Sequence, residues 1–352
     1  IHALYRDAVV TDYAETNRYM GEASTVTRIA IVGAGLSGLV VARLLKAHAD
    51  VTVFEKSRSA GGRMATRYAG GFEFDHGAQF FTARRERFRR FLQPLIDAGA
   101  VANWQARFAE YDGNSLSSLR AWSDEFPHYV GTPRMNSIGK MLSADLDIVF
   151  DTEISAIARG RDGWVLSAGA GTETGPFNWL VMTSPAAQTA ALAEGYADLS
   201  AFCGERRMLG CFALMLGFAK PANLPWDAAL VRNADISWIS VNSSKPARGS
   251  AVSLLVHSTN AWADSHLEDD TDYILEYMLD EASRVAGEDL RSAAHRQVHR
   301  WRYANIDRQS GPTCFVDDGN RLAACGDWCV RGRIEAAFTS ASDLAESLIA
   351  KL

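Results

Sequence analysis

Two hydrophobic rhythms alternate along the chain. Arg28-Ile29-Ala30-Ile31-Val32 is a short apolar run that stops at Gly33, after which apolar residues recur at Leu36, Leu39, Val40, Leu44 and Leu45 before His48. A β-branched run followed by helical spacing predicts strand, tight turn and helix. Val51-Thr52-Val53-Phe54 comes next, closed by Glu55, and completes a βαβ unit of a parallel sheet. Phe88, Phe91, Leu92 and Leu95 predict an amphipathic helix over 84–98 with an arginine-rich outer face. Residues 148–181 are dense in short alternating runs punctuated by Gly160, Asp162-Gly163 and Gly169, the pattern of a small antiparallel meander. Residues 208–218, 236–241 and 251–256 read as strands of a second sheet. Ile274, Tyr277, Met278 and Val285 place a covering helix over 270–286. A last strand-turn-helix spans 322–352, its helix carrying Ile334, Ala337, Phe338, Ala341, Leu344, Ala345, Leu348 and Ile349 on one stripe.

The length of 352 residues suits two domains. With 47% hydrophobic and 22% charged residues, disordered, collagen-like and coiled-coil readings are excluded. A net charge of −6 removes the global electrostatic reason to expect nucleic acid or an anionic membrane as partner. Five cysteines, an odd and sparse number, fit a reducing cytoplasm better than a disulfide framework. No apolar run approaches the ~20 residues that span a bilayer, and the amino terminus lacks the basic-then-apolar order of a signal peptide. The polar stretch 1–27 reads as an extension outside the fold.

Gly33-Ala34-Gly35-Leu36-Ser37-Gly38 lies between the first strand and the first helix, where glycines permit a tight turn, close backbone approach to a pyrophosphate and close helix packing. Glu55 stands 20 residues beyond Gly35 at the end of the next strand, placed to accept hydrogen bonds from a ribose. Together these features predict a dinucleotide site. Gly61-Gly62-Arg63-Met64 follows, and Arg63 offers a planar donor fork suited to phosphate. Asp327, after the strand ending near Cys325, is a candidate for a sugar hydroxyl. The helix beginning near Ile334 would direct unpaired N–H groups at a group bearing negative charge.

Other groupings lead elsewhere. Cys325 and Cys329 lack Cys-x-x-Cys spacing and a second ligand pair, so they read as buried thiols, and no metal site is expected. The run Arg84-Arg85-Glu86-Arg87-Phe88-Arg89-Arg90 reads as a solvated helix face, with a substrate phosphate as the other role open to some of its arginines. No Ser-His-Asp grouping is visible.

The run from Ile31 to Thr66, with Glu55-Lys56-Ser57-Arg58 leading into Gly61-Gly62-Arg63, resembles the amine-oxidase-like superfamily of FAD enzymes. Asp75-His76-Gly77-Ala78-Gln79-Phe80-Phe81-Thr82, Cys325-Gly326-Asp327-Trp328-Cys329 and Gly332-Arg333-Ile334-Glu335 narrow the resemblance to the renalase family, particularly its bacterial members. His299 to Ala304, Ser243 to Pro246 and Leu254 to His257 add to it. The resemblance implies an α/β fold in which a discontinuous Rossmann-type FAD-binding domain (28–75, 135–205 and 300–352) carries an inserted mixed β-sheet and helix substrate domain (76–134 and 206–299). It implies dissociable, noncovalent FAD held by Gly33, Gly35, Leu36, Ser37, Gly38, Glu55, Lys56, Gly62, Arg63, Met64, Gly77, Ala78, Gln79, Phe80, Asp327, Arg333, Ile334 and Glu335. His257 and Trp301 would line the substrate pocket, with Asn242 and Lys245 as secondary candidates.

The implied activity is hydride transfer from an isomeric 2- or 6-dihydronicotinamide dinucleotide to the flavin, giving NAD(P)+, with dioxygen as reoxidant and hydrogen peroxide as product. A flavin-containing amine oxidase and a non-catalytic flavin-binding sensor or scaffold are the alternatives.

Overall fold

A computed structural model describes residues 26–169, 171–220 and 223–352. The proposed extension 1–27 lies outside the described residues except for its last two positions. The fold is α/β, with a Rossmann-like sheet and a second large sheet.

The first sheet has six strands in the order Cys314–Asp317, Leu322–Cys325, Trp179–Met182, Arg28–Val32, Asp50–Phe54, Asp147–Val149. All neighbours run parallel except the antiparallel pair at the Cys314–Asp317 edge. Strands from far apart in the chain thus share one sheet: the central ones are short apolar runs buried on both faces, and the edge strands Cys314–Asp317 and Asp147–Val149 are more open. Helices Leu36–Leu45 and Ile334–Ile349 lie together against it, and the Ser37 hydroxyl donates to the Ala337 carbonyl at 3.1 Å. The first helix stops at Leu45, short of the expected His48.

The meander is smaller than expected. It comprises Ile154–Arg159, Trp164–Ala168 and Thr172–Phe177, whereas 147–149 and 179–182 join the parallel sheet.

The second sheet has seven strands in the order His295–Asn305, Leu209–Phe218, Val252–Ser258, Ile236–Val241, Ala228–Arg232, Arg107–Asp112, Ser115–Ala121. Phe212, Leu214, Leu216, Leu254, Val256 and Ile239 face helix Thr271–Ala286 and bury Ile274, Met278, Leu279 and Val285. That helix begins on the Asp270 carboxylate, which accepts from the Asp272 and Tyr273 N–H groups, and ends at Gly287 in the left-handed conformation. The opposite face of the sheet packs Ala213, Met215 and Leu255 against Phe74. The alternation of the strands therefore divides the sheet into a helix-covered face and a face turned toward residues 72–80.

Candidate active site

The glycine turn is built by close approach. Gly33 has φ +107°, its N–H donates to the Phe54 carbonyl at 2.8 Å, and a Cβ on Gly38 would stand 1.9 Å from the Gly33 carbonyl oxygen. Gly35, in contrast, faces open space: a Cβ there would meet no protein atom within 4 Å. A backbone that is bare to the outside at the start of a helix is what a pyrophosphate requires. Gly62 has φ +53° and packs against Gly35, and the Gly61 N–H donates to the Ala34 carbonyl at 2.8 Å, so the two glycine turns form one cradle. Leu36 and Met64 are core residues beneath it.

Glu55 is buried. One carboxylate oxygen accepts from the Ala34 N–H at 2.7 Å and the other from the Ser57 N–H at 2.8 Å. It therefore fixes the glycine turn as well as keeping lone pairs for a ribose. Lys56 is exposed beside Glu153, which gives no support to the expected cofactor role.

Arg63 differs from the expectation that its fork faces phosphate. It forms a bidentate pair with Asp327, at 2.5 and 2.9 Å, and also donates to the Ala304 carbonyl at 3.1 Å. The pair ties the second glycine turn to the final turn, and the carboxylate expected on a hydroxyl is instead the partner of the arginine. Glu335 is likewise redirected. Its carboxylate accepts from the N–H groups of Arg84 and Arg85 at 3.1 and 2.7 Å, supplying acceptors to the start of helix Glu86–Asp97. Arg333 and Ile334 open the last helix, whose first turn lies beside the first turn of helix Leu36–Leu45.

Residues 75–80 connect the two sheets. The Ala78 N–H donates to the Arg63 carbonyl at 2.9 Å, and a Cβ on Gly77 would stand 2.0 Å from that carbonyl oxygen. Gln79 donates to the carbonyls of Asp75 and Gly77, while its Oε1 accepts from Ser240 and Lys245. Phe80 enters an aromatic group with Trp122, His128 and Trp238.

Asn242 and Lys245 require a correction. Rather than standing free for a substrate, both are buried with their polar groups held in a structural network. Lys245 Nζ donates to Asn242 Oδ1 at 3.0 Å, Gln79 Oε1 at 3.3 Å and Asp75 Oδ2 at 3.4 Å. Asp75 Oδ2 also takes Arg248 at 2.5 Å, while Oδ1 accepts from Thr66 at 2.7 Å and the Met135 N–H at 3.1 Å. Burial pushes the Asp75 carboxyl up, but Lys245, Arg248 and Thr66 outweigh it and hold the group at about 2. Desolvation lowers Lys245 to about 8, with Arg248 adding to the effect and Asp75 opposing it.

The expected pair does come together. Trp301 Nε1 donates to the His76 carbonyl at 2.9 Å, and His257 Nε2 lies 3.2 Å from the same oxygen, donating as the Nε2–H tautomer. The strand register explains why. His299, Ala213, His257 and Trp238 occupy one row across four strands and so share a face, with Cys211 and Trp301 forming another pair on that face. The His76 ring packs against His299 and Trp301, with centroids 4.9 and 5.0 Å away.

All three imidazoles are held neutral at pH 7. Desolvation first, then His299, Arg67 and His257, lower His76 to about 3. Desolvation and Lys245 bring His257 to about 4, against the hydrogen bond to His76. Desolvation and Arg67 bring His299 to about 4. His76 and His299, both inside quoted motifs, were not singled out by sequence reasoning, and two further imidazoles flanking His257 were the available signal. Among the described residues no group of His, Cys, Asp and Glu side chains is arranged to hold a metal ion.

The geometry is that of a dinucleotide cradle, and FAD fits it. Gly35 leaves room for a pyrophosphate, Glu55 closes the second strand where a ribose is expected, and the first turns of helices Leu36–Leu45 and Ile334–Ile349 lie side by side. Noncovalent attachment also fits, since Cys325 and Cys329 are buried thiols whose ionisation is pushed far up, chiefly by desolvation.

Comparison with known proteins agrees on the fold. The family of NAD(P)-binding Rossmann-like domains matches residues 31–95. Mitochondrial protoporphyrinogen oxidase of Nicotiana tabacum is 43% identical over 60 residues, which is 17% of this chain and only 12% of that protein. Two solved structures match far more of the chain, each at 12% identity. A provisional protoporphyrinogen oxidase from Exiguobacterium sp. 255-15 has a TM-score of 0.73, covering 93% of this chain and 99% of its own. A putrescine oxidase mutant has a TM-score of 0.69, with 93% and 100% covered. The chain therefore has the Rossmann-like α/β fold of these solved structures.

Proposed function

We propose that the protein is a noncovalent FAD-dependent oxidoreductase of the amine-oxidase-like kind, acting in the manner of renalases on isomeric dihydronicotinamide dinucleotides. When bound, FAD supplies a two-electron acceptor that takes hydride at N5 and can pass the electrons to dioxygen. The chain's own residues orient the donor. Trp301 and His257 are fixed on one carbonyl, so a flat ring resting against them meets a rigid wall with one polar group. The observation that carries the reading is the meeting of Trp301 and His257 on the His76 carbonyl, a site lined by imidazoles that desolvation keeps in the neutral form. A dihydronicotinamide releases hydride with help from its ring nitrogen lone pair and needs no strong base.

A simple amine oxidase is the second reading, supported by the likeness to putrescine oxidase. The local charges count against it. Arg67 lies 3.4 Å from His299, and Lys245 acts on His257, so a protonated amine or diamine would approach cations. A cytoplasmic location and dioxygen as acceptor belong to the same proposal. Among the described residues no helix is long and apolar enough to cross a membrane.

Anaerobic mixing of the FAD-loaded protein with candidate donors tests the reading. Rapid bleaching of the flavin by 2- or 6-dihydronicotinamide dinucleotide, and slow bleaching by ordinary NADH, is expected. Bleaching by putrescine or a porphyrinogen with indifference to both isomers would overturn it. Bleaching by no donor would favour a sensor or scaffold.

A further inference from the structure

The arginines near the two sheets differ in what they are spent on. Arg63 pairs with Asp327, Arg134 with Glu73 and Arg248 with Asp75, and within 84–90 Arg87 turns to Asp343 and Glu346. Arg67 has no ion pair among the described residues. Its side chain makes one hydrogen bond there, from Nη2 to His299 Nδ1, at a long 3.4 Å. A guanidinium carries five N–H donors, so this contact orients the group and leaves most of its donors unspent. Those of Arg67 are also reachable. The Nε atoms of Arg134 and Arg248 are enclosed without a partner, whereas Arg67 is half-buried and none of its nitrogens is sealed off in that way.

The backbone fixes where this cation stands. Strand Arg67–Ala69 pairs with Phe72–Phe74 in a short hairpin, with Arg67 opposite Phe74. Phe74 is buried against Ala213, Met215 and Leu255 on the site-facing side of the second sheet, and the Phe72 ring fills the space that a side chain on Gly217 would need. On the preceding residue, the Thr66 hydroxyl donates to Asp75. Arg67 is therefore held by its neighbours and has no acid of its own.

His299 joins the cation to the ring-binding wall. Its ring centroid lies 4.4 Å from that of Trp301 and 4.9 Å from that of His76. The guanidinium thus stands one imidazole away from the indole, and that imidazole, accepting at Nδ1, carries its proton on Nε2.

We propose that Arg67 binds the phosphate that the electron donor carries on its nicotinamide ribose, so that the substrate site favours a nucleotide over the riboside. The inference rests on the dihydronicotinamide reading above and names the residue that recognises the donor beyond its ring. In such a donor the first phosphate is one ribose away from the ring, and a ring against Trp301 leaves it within reach of a guanidinium one imidazole away. A planar fork donates two parallel hydrogen bonds to phosphate oxygens. The phosphate supplies the counter-charge that the described residues do not give Arg67.

Oxidised nicotinamide mononucleotide and nicotinamide riboside differ by this phosphate alone and donate no hydride, so their binding to the FAD-loaded protein, read from the flavin spectrum, tests the contact without turnover. The mononucleotide should bind about tenfold more tightly than the riboside, and the margin should shrink as salt is raised. R67Q should bring the ratio close to one and R67K should restore part of it, with FAD retained in both. In stopped-flow reduction by the corresponding dihydro compounds, R67Q should lower the nucleotide's advantage in apparent affinity more than in limiting rate. Equal loss for nucleotide and riboside would overturn the proposal, because Arg67 would then act only by steadying His299. A ratio that ignores R67Q, or a variant that loses FAD, would overturn it as well. If the mononucleotide binds through Arg67 while no dihydronicotinamide bleaches the flavin, the contact stands and the activity falls. If a dihydronicotinamide bleaches the flavin and R67Q leaves the nucleotide's advantage intact, the activity stands and the contact falls.

Discussion

Asp75 and His76 are adjacent in the chain and lead to opposite environments. Asp75 carries a full charge into the interior, where Thr66, Met135, Lys245 and Arg248 surround it. His76 leads to a cluster in which His257, His299 and Trp301 are all neutral rings. Buried charge is tolerated where several donors fix it, and such a group has no freedom to respond to a ligand. Neutral polar rings cost less to desolvate and leave the surface that the proposed function assigns to the substrate. The charged network therefore holds residues 75–80 in position, and the neutral cluster uses that position.

The strongest way to break the comparison is to remove the charge at its centre. Asp75→Ala leaves Lys245 and Arg248 buried without their common partner, and a loss of about 3–5 kcal/mol in unfolding free energy is expected. Chemical denaturation measures it, and a loss below about 1 kcal/mol would show that the network is not a clamp. Gly35→Val tests the cradle without disturbing either cluster. Its Cβ enters open space, so the variant should fold with near-normal stability yet fail to take up FAD, read as a colourless protein with an intact thermal transition.

Trp301→Ala and His257→Ala act on the neutral side. Each should lower the rate of flavin reduction by ~10–100-fold, corresponding to about 1–3 kcal/mol, with the FAD spectrum retained and unfolding changed less than in Asp75→Ala. A rate unchanged in stopped-flow measurements would remove both residues from the site.

The response to pH spreads its effect over several units. The three histidines are neutral in the folded protein down to about pH 3–4, whereas in the unfolded chain they take up protons near 6.5. Their contribution is complete above about 6.5 and is lost as pH falls toward 4, by about 1.4 kcal/mol per pH unit for each histidine. Asp75, depressed to about 2 from 3.8, stabilises above about 4 and loses that contribution as pH falls through 2. Urea midpoints measured from pH 8 to 4 should fall along this curve, more shallowly in His299→Phe. The reduction rate by an uncharged donor should stay flat from pH 5 to 8.

The glycine turn, Glu55 and the first strand and helix are legible in sequence because local pattern fixes them. The strand His295–Asn305 is not. It is the edge strand of the second sheet, with residues such as His295, Arg296, Gln297 and Arg300 on both faces, so it lacks apolar alternation. His257 and Trp301 are named from a resemblance, but their meeting on the His76 carbonyl depends on register between distant strands. Arg63–Asp327 and Glu335 with Arg84 and Arg85 also join segments more than 200 residues apart. Sequence indicates that such groups are polar and leaves open which of them are spent on each other. Lys245 illustrates the same limit, since a polar Asn-Ser-Ser-Lys-Pro loop gives no sign that its lysine is wholly enclosed.

The thiols have a consequence for chemical durability. Cys203 and Cys211 are raised to about 12 by burial, and Cys325 and Cys329 are raised well beyond the ordinary thiol range. Peroxide attacks the thiolate, which these environments suppress. Under the proposed oxidase activity, sulfur can therefore stand near the source of peroxide, even Cys314 and Cys325 facing each other across paired strands, and resist oxidation.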